Sequence, residues 1–247
     1  MLSSMSTVVF ALLFVLFAGA IGGLTGFGFN LVATPPLIMV MPAKAAVAVL
    51  GLVSSFQSAL MLWRLRKWTE LRRVWPMILA GVAGIPVGTA LLLLLDVDSL
   101  KLLIGGTSAL AALTMLLGFR RSVGEGKVEV CAVGFASGVI GGTTGLSGPP
   151  VVLFLTNQGT AKQAFRANLS AHFTALGLFR LVTYSAGGLF SMEMVRLAAI
   201  LLPTALLGTW VGMRLAPKVD EVLFRRLTLL TLVLTSLLVV ASGLGWL

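Results

Sequence analysis

The sequence predicts an all-α, polytopic integral membrane protein made of two inverted repeats, each with about four long helices and one short or re-entrant helix. Three observations carry this reading: the composition, the spacing of apolar runs, and a duplicated segment rich in glycine and proline. Of the 247 residues, 58% are hydrophobic and 11% charged, whereas a soluble domain carries about a quarter charged residues. At about 20 residues per spanning helix the chain has room for about eight to ten spans and none left for a water-soluble catalytic domain. A soluble enzyme is thereby excluded. The net charge of +10 does not point to nucleic acid, because Lys and Arg sit in short clusters between apolar runs, where the positive-inside rule puts them. With a single Cys and a single His, no disulfide, metal or other cofactor is expected.

Apolar runs near spanning length fall at about residues 7 to 28, 45 to 63, 75 to 95, 101 to 118, 128 to 146, 163 to 185, 194 to 213 and 225 to 245. Shorter runs at about 31 to 42 and 149 to 158 follow the first and fifth. The first run resembles the core of a secretory signal, with Ala18-Gly19-Ala20 in the place of a cleavage site. No Lys or Arg precedes it, so a retained first helix is expected. Gly84 and Gly88, like Gly208 and Gly212, have the small-xxx-small spacing that lets helix backbones approach, with Pro86 as a kink. Trp63, Trp68, Trp75 and Trp246 stand at run ends, as interfacial aromatics do.

The chain repeats itself. Ala20-Ile21-Gly22-Gly23-Leu24-Thr25-Gly26 recurs as Val139-Ile140-Gly141-Gly142-Thr143-Thr144-Gly145, and each copy is followed by a proline pair, Pro35-Pro36 or Pro149-Pro150. Pro42-Ala43-Lys44-Ala45-Ala46 then matches Thr160-Ala161-Lys162-Gln163-Ala164, Gly84 and Gly88 match Gly208 and Gly212, and Lys101 matches Arg225. Repeats of this kind are common in transporters. They divide the chain into residues 1 to 122 and 127 to 247. Arg64, Arg66, Lys67, Arg72 and Arg73 mark one loop of the first copy as cytoplasmic, Asp96 and Asp98 mark the next as external, and Arg120, Arg121 and Lys127 return the junction to the cytoplasm. In the second copy the loop at about 185 to 194 is external, and Arg214, Lys218, Arg225 and Arg226 put the following loop inside. Corresponding loops lie on opposite sides, which requires an odd number of crossings per copy. The short run after each glycine-rich segment is then either a fifth helix or one arm of a re-entrant hairpin, and both arrangements put the termini outside the cytoplasm.

Residues 22 to 36 and 141 to 150 are the candidate site. Glycine removes side chains, and proline removes an amide donor and clashes with a continuing helix, so the helices should break there. Non-helical backbone at membrane depth must be buried in protein or line a watery cavity, and paired broken helices point to a substrate site. A helix restarting at Pro149-Pro150 would offer free amides and a positive dipole end to an anion. Thr25, Gly26, Gly28, Asn30, Thr144, Gly145, Ser147, Gly148 and Pro149 are the site residues of these segments. The plainer alternative is that the glycines serve only close helix packing. His172, the lone histidine, stands about nine residues into its run with Asn168 one turn away, and Gln57 lies near the aligned position, Ser54, in the first copy. His172 is a candidate to hold the anion when protonated or to relay a proton, or else a neutral group bonding a neighbouring helix. Arg180 is a candidate to attract the anion or a side chain that snorkels to the interface. Lys44 and Arg166, near run ends, read as topology or headgroup anchors.

The doubled Ile-Gly-Gly-x-Thr-Gly segments followed by proline, the Gly-Leu-Ser-Gly-Pro-Pro stretch at 145 to 150, and the set of long helices together resemble the sulfite exporter TauE/SafE family. The resemblance covers nearly the whole chain, although the first copy reads Gly26-Phe27-Gly28-Phe29-Asn30 where many members have a denser glycine run. It implies a transporter of sulfite, sulfonates such as sulfoacetate, or other small organic anions in the bacterial cytoplasmic membrane, with residues 22 to 30 and 141 to 150 as its central site. The expected function is alternating-access secondary transport of a small anion, coupled to a proton, another ion or the substrate gradient, since no Gly-x-x-x-x-Gly-Lys motif is present. An anion channel using the same segments is the alternative. The expected partners are the anion and the lipid bilayer, with no nucleic acid; a homodimer is compatible with the sequence. An intramembrane enzyme is disfavoured because Asp and Glu are confined to loops and run ends.

Overall fold

Apolar runs separated by Gly, Pro and charged clusters become helices wherever backbone groups must be satisfied within the segment itself. The computed structural model describes residues 5–116 and 126–220, and among these it is all-helical. In chain order the elements are α1 (Met5–Thr25), α2 (Phe29–Val40), α3 (Ala43–Leu65), a single 3-10 turn (Arg66–Trp68), α4 (Leu71–Leu94), α5 (Val97–Leu116), α6 (Lys127–Thr144), α7 (Gly148–Asn157), α8 (Lys162–Ala186) and α9 (Met192–Leu215). The long helices occupy the first seven expected runs and the two short ones the expected short runs. The eighth run, with Arg225, Arg226 and Trp246, and the junction residues Arg120 and Arg121 lie outside the described residues.

Among the described residues, four segments are long and apolar enough to cross a membrane: Ser6–Thr25, Ala43–Trp68, Leu71–Leu94 and Met192–Leu215. Of these α3 is the most enclosed, with 67% of its apolar stretch buried against 33% to 39% in the other three. α8 has 25 residues but carries Arg166, Asn168, His172 and Arg180, all buried, and packs against α3 and α4. Trp63, Trp68 and Trp75 are exposed. Helix ends are closed by side chains: the Ser191 hydroxyl accepts the Met194 amide at 3.2 Å to start α9, and the Asp96 carboxylate accepts the Asp98 and Ser99 amides, each at 3.2 Å, to start α5. Hydrogen bonding from Ser99, side chain first and then amide, holds the Asp96 carboxyl below its ordinary range.

Two close helix pairs frame the molecule, α1 with α9 and α4 with α6, each joining the first half of the chain to the second. Glycines set the approach. A Cβ on Gly23 would collide with the Thr209 carbonyl, and one on Gly208 or Gly212 with the carbonyl of Leu16 or Ala20. In the other pair, Gly84 and Gly88 meet the carbonyls of Phe135 and Val139, while Gly134 and Gly138 meet those of Met77 and Gly81. Residue numbers rise together in both pairs, so each pair is parallel. Lys44 and Lys162 each reach the end of a neighbouring helix. Lys44 Nζ donates to the Leu93 carbonyl at 3.0 Å, at the end of α4; Lys162 Nζ donates to the Ala216 and Val219 carbonyls at 3.0 and 3.1 Å, past the end of α9. Cations at helix C-termini meet carbonyls that lack intrahelical donors.

Gly88→Leu and Gly212→Leu should each lower stability by about 1–3 kcal/mol or more, because backbone atoms, unlike side chains, cannot yield to the new group. Gly106→Ala, where a Cβ meets nothing within 4 Å, should leave the Tm unchanged or slightly raised. Thermal unfolding in detergent measures all three, and an unchanged Tm for Gly88→Leu would contradict the packing described.

Candidate functional site

α1 and α6 end by the same device. The Thr25 hydroxyl donates to the Ile21 carbonyl at 2.8 Å and accepts the Phe27 amide at 3.1 Å; the Thr144 hydroxyl donates to Ile140 at 2.8 Å and accepts the Leu146 amide at 3.2 Å. Between each threonine and its amide donor stands a glycine in the left-handed region, Gly26 at φ +88° and Gly145 at φ +78°, a conformation glycine adopts at little steric cost. The chain then restarts as α2 after Gly28 and as α7 after Ser147.

The restarts differ from the expectation. Pro149 and Pro150 do stand in the first turn of α7, but proline has no N–H, so Ser147 and Gly148 are the amide donors left there. Pro35 and Pro36 lie inside α2, well past its start. The first turn of α2 is therefore the one with a full set of amides, and Phe29, Asn30 and Leu31 all line the same cavity.

That cavity, about 600 Å³ including its open mouth, lies between the two helix ends and the inner faces of α3 and α8. Phe27, Met61 and Phe173 are among its apolar walls. Asn30, Ser54, Gln57, Ser147 and Arg180 give it polar character, and Arg180 is the one charged residue among its described lining. The Arg180 side chain is 4% exposed and does not snorkel. It donates to the carbonyls of Gly141 and Gly51, each at 3.3 Å, and to Ser54 Oγ at 3.0 Å; its Nε has no acceptor. All of its partners are neutral, because the acidic residues of the described chain lie at helix ends and connections. Gln57 makes no hydrogen bond to a described residue. The cavity thus offers a small anion one full positive charge, amide donors and a dry wall.

Among the other sequence candidates, Gly26, Gly28, Asn30, Gln57, Gly145, Ser147 and Gly148 line the cavity with Arg180, while Thr25, Thr144, Pro149, Asn168 and His172 lie outside its lining. Thr25 and Thr144 are buried behind it, engaged as caps. Asn168 faces the opposite way from the cavity residues of α8: its Oδ1 accepts the Glu70 amide at 2.9 Å and its Nδ2 donates to Glu70 Oε2 at 3.4 Å. His172 is fully buried with Nε2 3.0 Å from Ser137 Oγ, and Ser137 donates its single hydroxyl proton to the Ser147 carbonyl at 2.6 Å. The proton between His172 and Ser137 therefore belongs to Nε2, and Nδ1 has no partner. Arg166 is no headgroup anchor. It is 2% exposed, its stem packs on Gly26, and it donates to the Gly23 carbonyl at 2.6 Å. Ser137 and Tyr184, whose hydroxyl donates to the Gly142 carbonyl at 2.7 Å, had no sequence signal, since each acts across a helix boundary.

Helices of spanning length around an internal cavity with polar groups on its wall are the architecture of a polytopic membrane protein. The family model described as Sulfite exporter TauE/SafE matches residues 11–239, nearly the whole chain, and the chain belongs to that family of membrane transporters. It is accordingly a multi-pass membrane protein. No curated protein and no solved structure matches it significantly.

Ser137→Ala should lower stability by about 1–3 kcal/mol, because it leaves the His172 Nε2–H and the Ser147 carbonyl without their buried partner. The fall in Tm in detergent measures this, and an unchanged Tm would show that the Ser137 bridge is not what holds residues 145 to 148.

Proposed function

We propose that the protein is a secondary transporter of a small anion, a sulfite, sulfonate or small carboxylate, built from two inverted repeats and working by alternating access in a bacterial cytoplasmic membrane. The observation that carries the proposal is Arg180, a buried cation on the cavity wall with neutral partners alone. A charge in such a place attracts a counter-ion strongly, since burial weakens competition from water. The family supplies the substrate class, and the anion would sit against Arg180, Gln57 and the first amides of α2. The energy would come from an ion or substrate gradient.

Several contacts support the inverted repeat. The close pair α1 with α9 mirrors α6 with α4, and Lys44 on the end of α4 mirrors Lys162 beyond the end of α9. The last residues toward the end of α7 share a cleft with Arg73 and Lys127, so with the Arg-rich turn in the cytoplasm α7 returns to the side from which α6 sets out. By the same orientation α2 returns to the outside, where Lys44 meets Leu93 beside Asp96. Each glycine break is then the tip of a re-entrant hairpin, and three crossings follow it: α3, α4 and α5 in the first half, and in the second α8, α9 and the crossing that the sequence leads one to expect at 225 to 245, outside the described residues. Three is odd, which inverts the second half relative to the first. Rocking of the glycine-packed pairs against α3 and α8 would open the cavity alternately to either side.

Flux of sulfite, sulfoacetate, taurine and a small carboxylate into proteoliposomes tests the proposal. Wild-type protein should show saturable flux of at least one anion, and Arg180→Gln should reduce it roughly a hundredfold, as expected for loss of a desolvated charge pair. Gly148→Leu should abolish flux while the protein stays folded, because the atoms nearest a Cβ there belong to Phe173 and Phe27, at 3.8 and 3.9 Å, an ordinary contact distance, and a longer side chain fills the cavity. Wild-type rates in both variants would overturn the site.

A further inference from the structure

We infer that the anion taken by this cavity carries a single negative charge and a hydrogen-bond donor of its own, as a hydroxy- or amino-substituted sulfonate or carboxylate does, or a hydrogen oxyanion. The inference rests on the anion-transport reading above and narrows its substrate class.

The charge follows from the lining. Among the described residues Arg180 is the one charged group there, and Glu70, Asp96, Asp98, Glu129, Glu193 and Asp220 are all elsewhere. A monoanion leaves the occupied cavity neutral, whereas a dianion leaves a buried negative charge without a partner. The donor follows from Asn30. Its Nδ2 lies 2.7 Å from the Gly145 carbonyl, which can only accept, and 3.3 Å from Ser54 Oγ. That contact fixes the amide orientation and leaves Oδ1 as an acceptor, buried and without a donor. Asn30 and Arg180 line the same cavity and converge on the same Ser54 hydroxyl. A ligand with an O–H or N–H beside its charged group satisfies Asn30 and Arg180 together. An otherwise equal anion without that donor leaves Oδ1 unpaired, which is how sites built to hydrogen-bond a substrate reject analogues lacking the group.

Half-saturation concentrations in proteoliposomes of the full chain test this with three probes: hydroxyethanesulfonate, ethanesulfonate and ethanedisulfonate. Wild-type protein should take hydroxyethanesulfonate about tenfold or more tighter than ethanesulfonate, and ethanedisulfonate most weakly of the three. In Asn30→Ala the preference for the hydroxyl should fall toward one, while Arg180→Gln should weaken all three. Equal half-saturation for the first two probes in wild-type protein, or tightest binding of the disulfonate, overturns the inference and leaves the anion cavity standing. The wild-type comparison holds even if Asn30→Ala does not fold. Uptake of no anion at all by folded wild-type protein overturns the transport reading, and this inference with it.

Discussion

Two helices that end inside the protein impose the constraint on which the rest of the structure depends. A helix terminus leaves carbonyls without donors, and at a buried position water cannot supply them. At both ends a threonine hydroxyl and a left-handed glycine close the last turn. α8 then supplies donors to carbonyls of the last turns: Arg166 to Gly23, Tyr184 to Gly142, and Arg180 as a second donor to Gly141, which also accepts the Gly145 amide. Gly23 and Gly142 are equivalent residues of the duplicated segment, so one helix completes both ends. This is why α8 is the most polar of the long helices and yet lies inside.

The same constraint explains the glycine pairs. For α8 to reach both ends, α1 and α6 must be held closely and in register by helices of the opposite half. Backbone contact through Gly23, Gly208 and Gly212 on one side, and through Gly84, Gly88, Gly134 and Gly138 on the other, provides that hold. Lipid offers little hydrophobic drive for helices to associate, so close backbone packing carries much of the stabilisation. The cavity is the space left where the two ends meet α3 and α8, and its polar character comes largely from groups already needed to complete the backbone.

Much of this was legible in the sequence because it is local. Thr25-Gly26 and Thr144-Gly145 lie in chain order with the helices they terminate, and the apolar runs mark the long helices closely. What was not legible depends on which helix faces which. The proline pairs look equivalent, yet Pro149 and Pro150 start α7 while Pro35 and Pro36 sit inside α2, because Gly28 rather than proline sets the first restart. Asn168 and His172 share one face of α8 by spacing, but spacing does not say that the first meets Glu70 and the second Ser137. Arg180 reads as an interfacial side chain until Ser54, Gly51 and Gly141 are seen around it.

On the proposed function a small oxyanion occupies the cavity against Arg180. Selenite, a sulfite analogue with a strong anomalous signal, allows a direct measurement by diffraction from crystals of the protein soaked with it. A selenium peak is expected in the cavity, with oxygens within hydrogen-bonding distance of the Arg180 guanidinium. An empty cavity in crystals whose anomalous peaks lie only on surface cations such as Arg64 and Lys67 would contradict it.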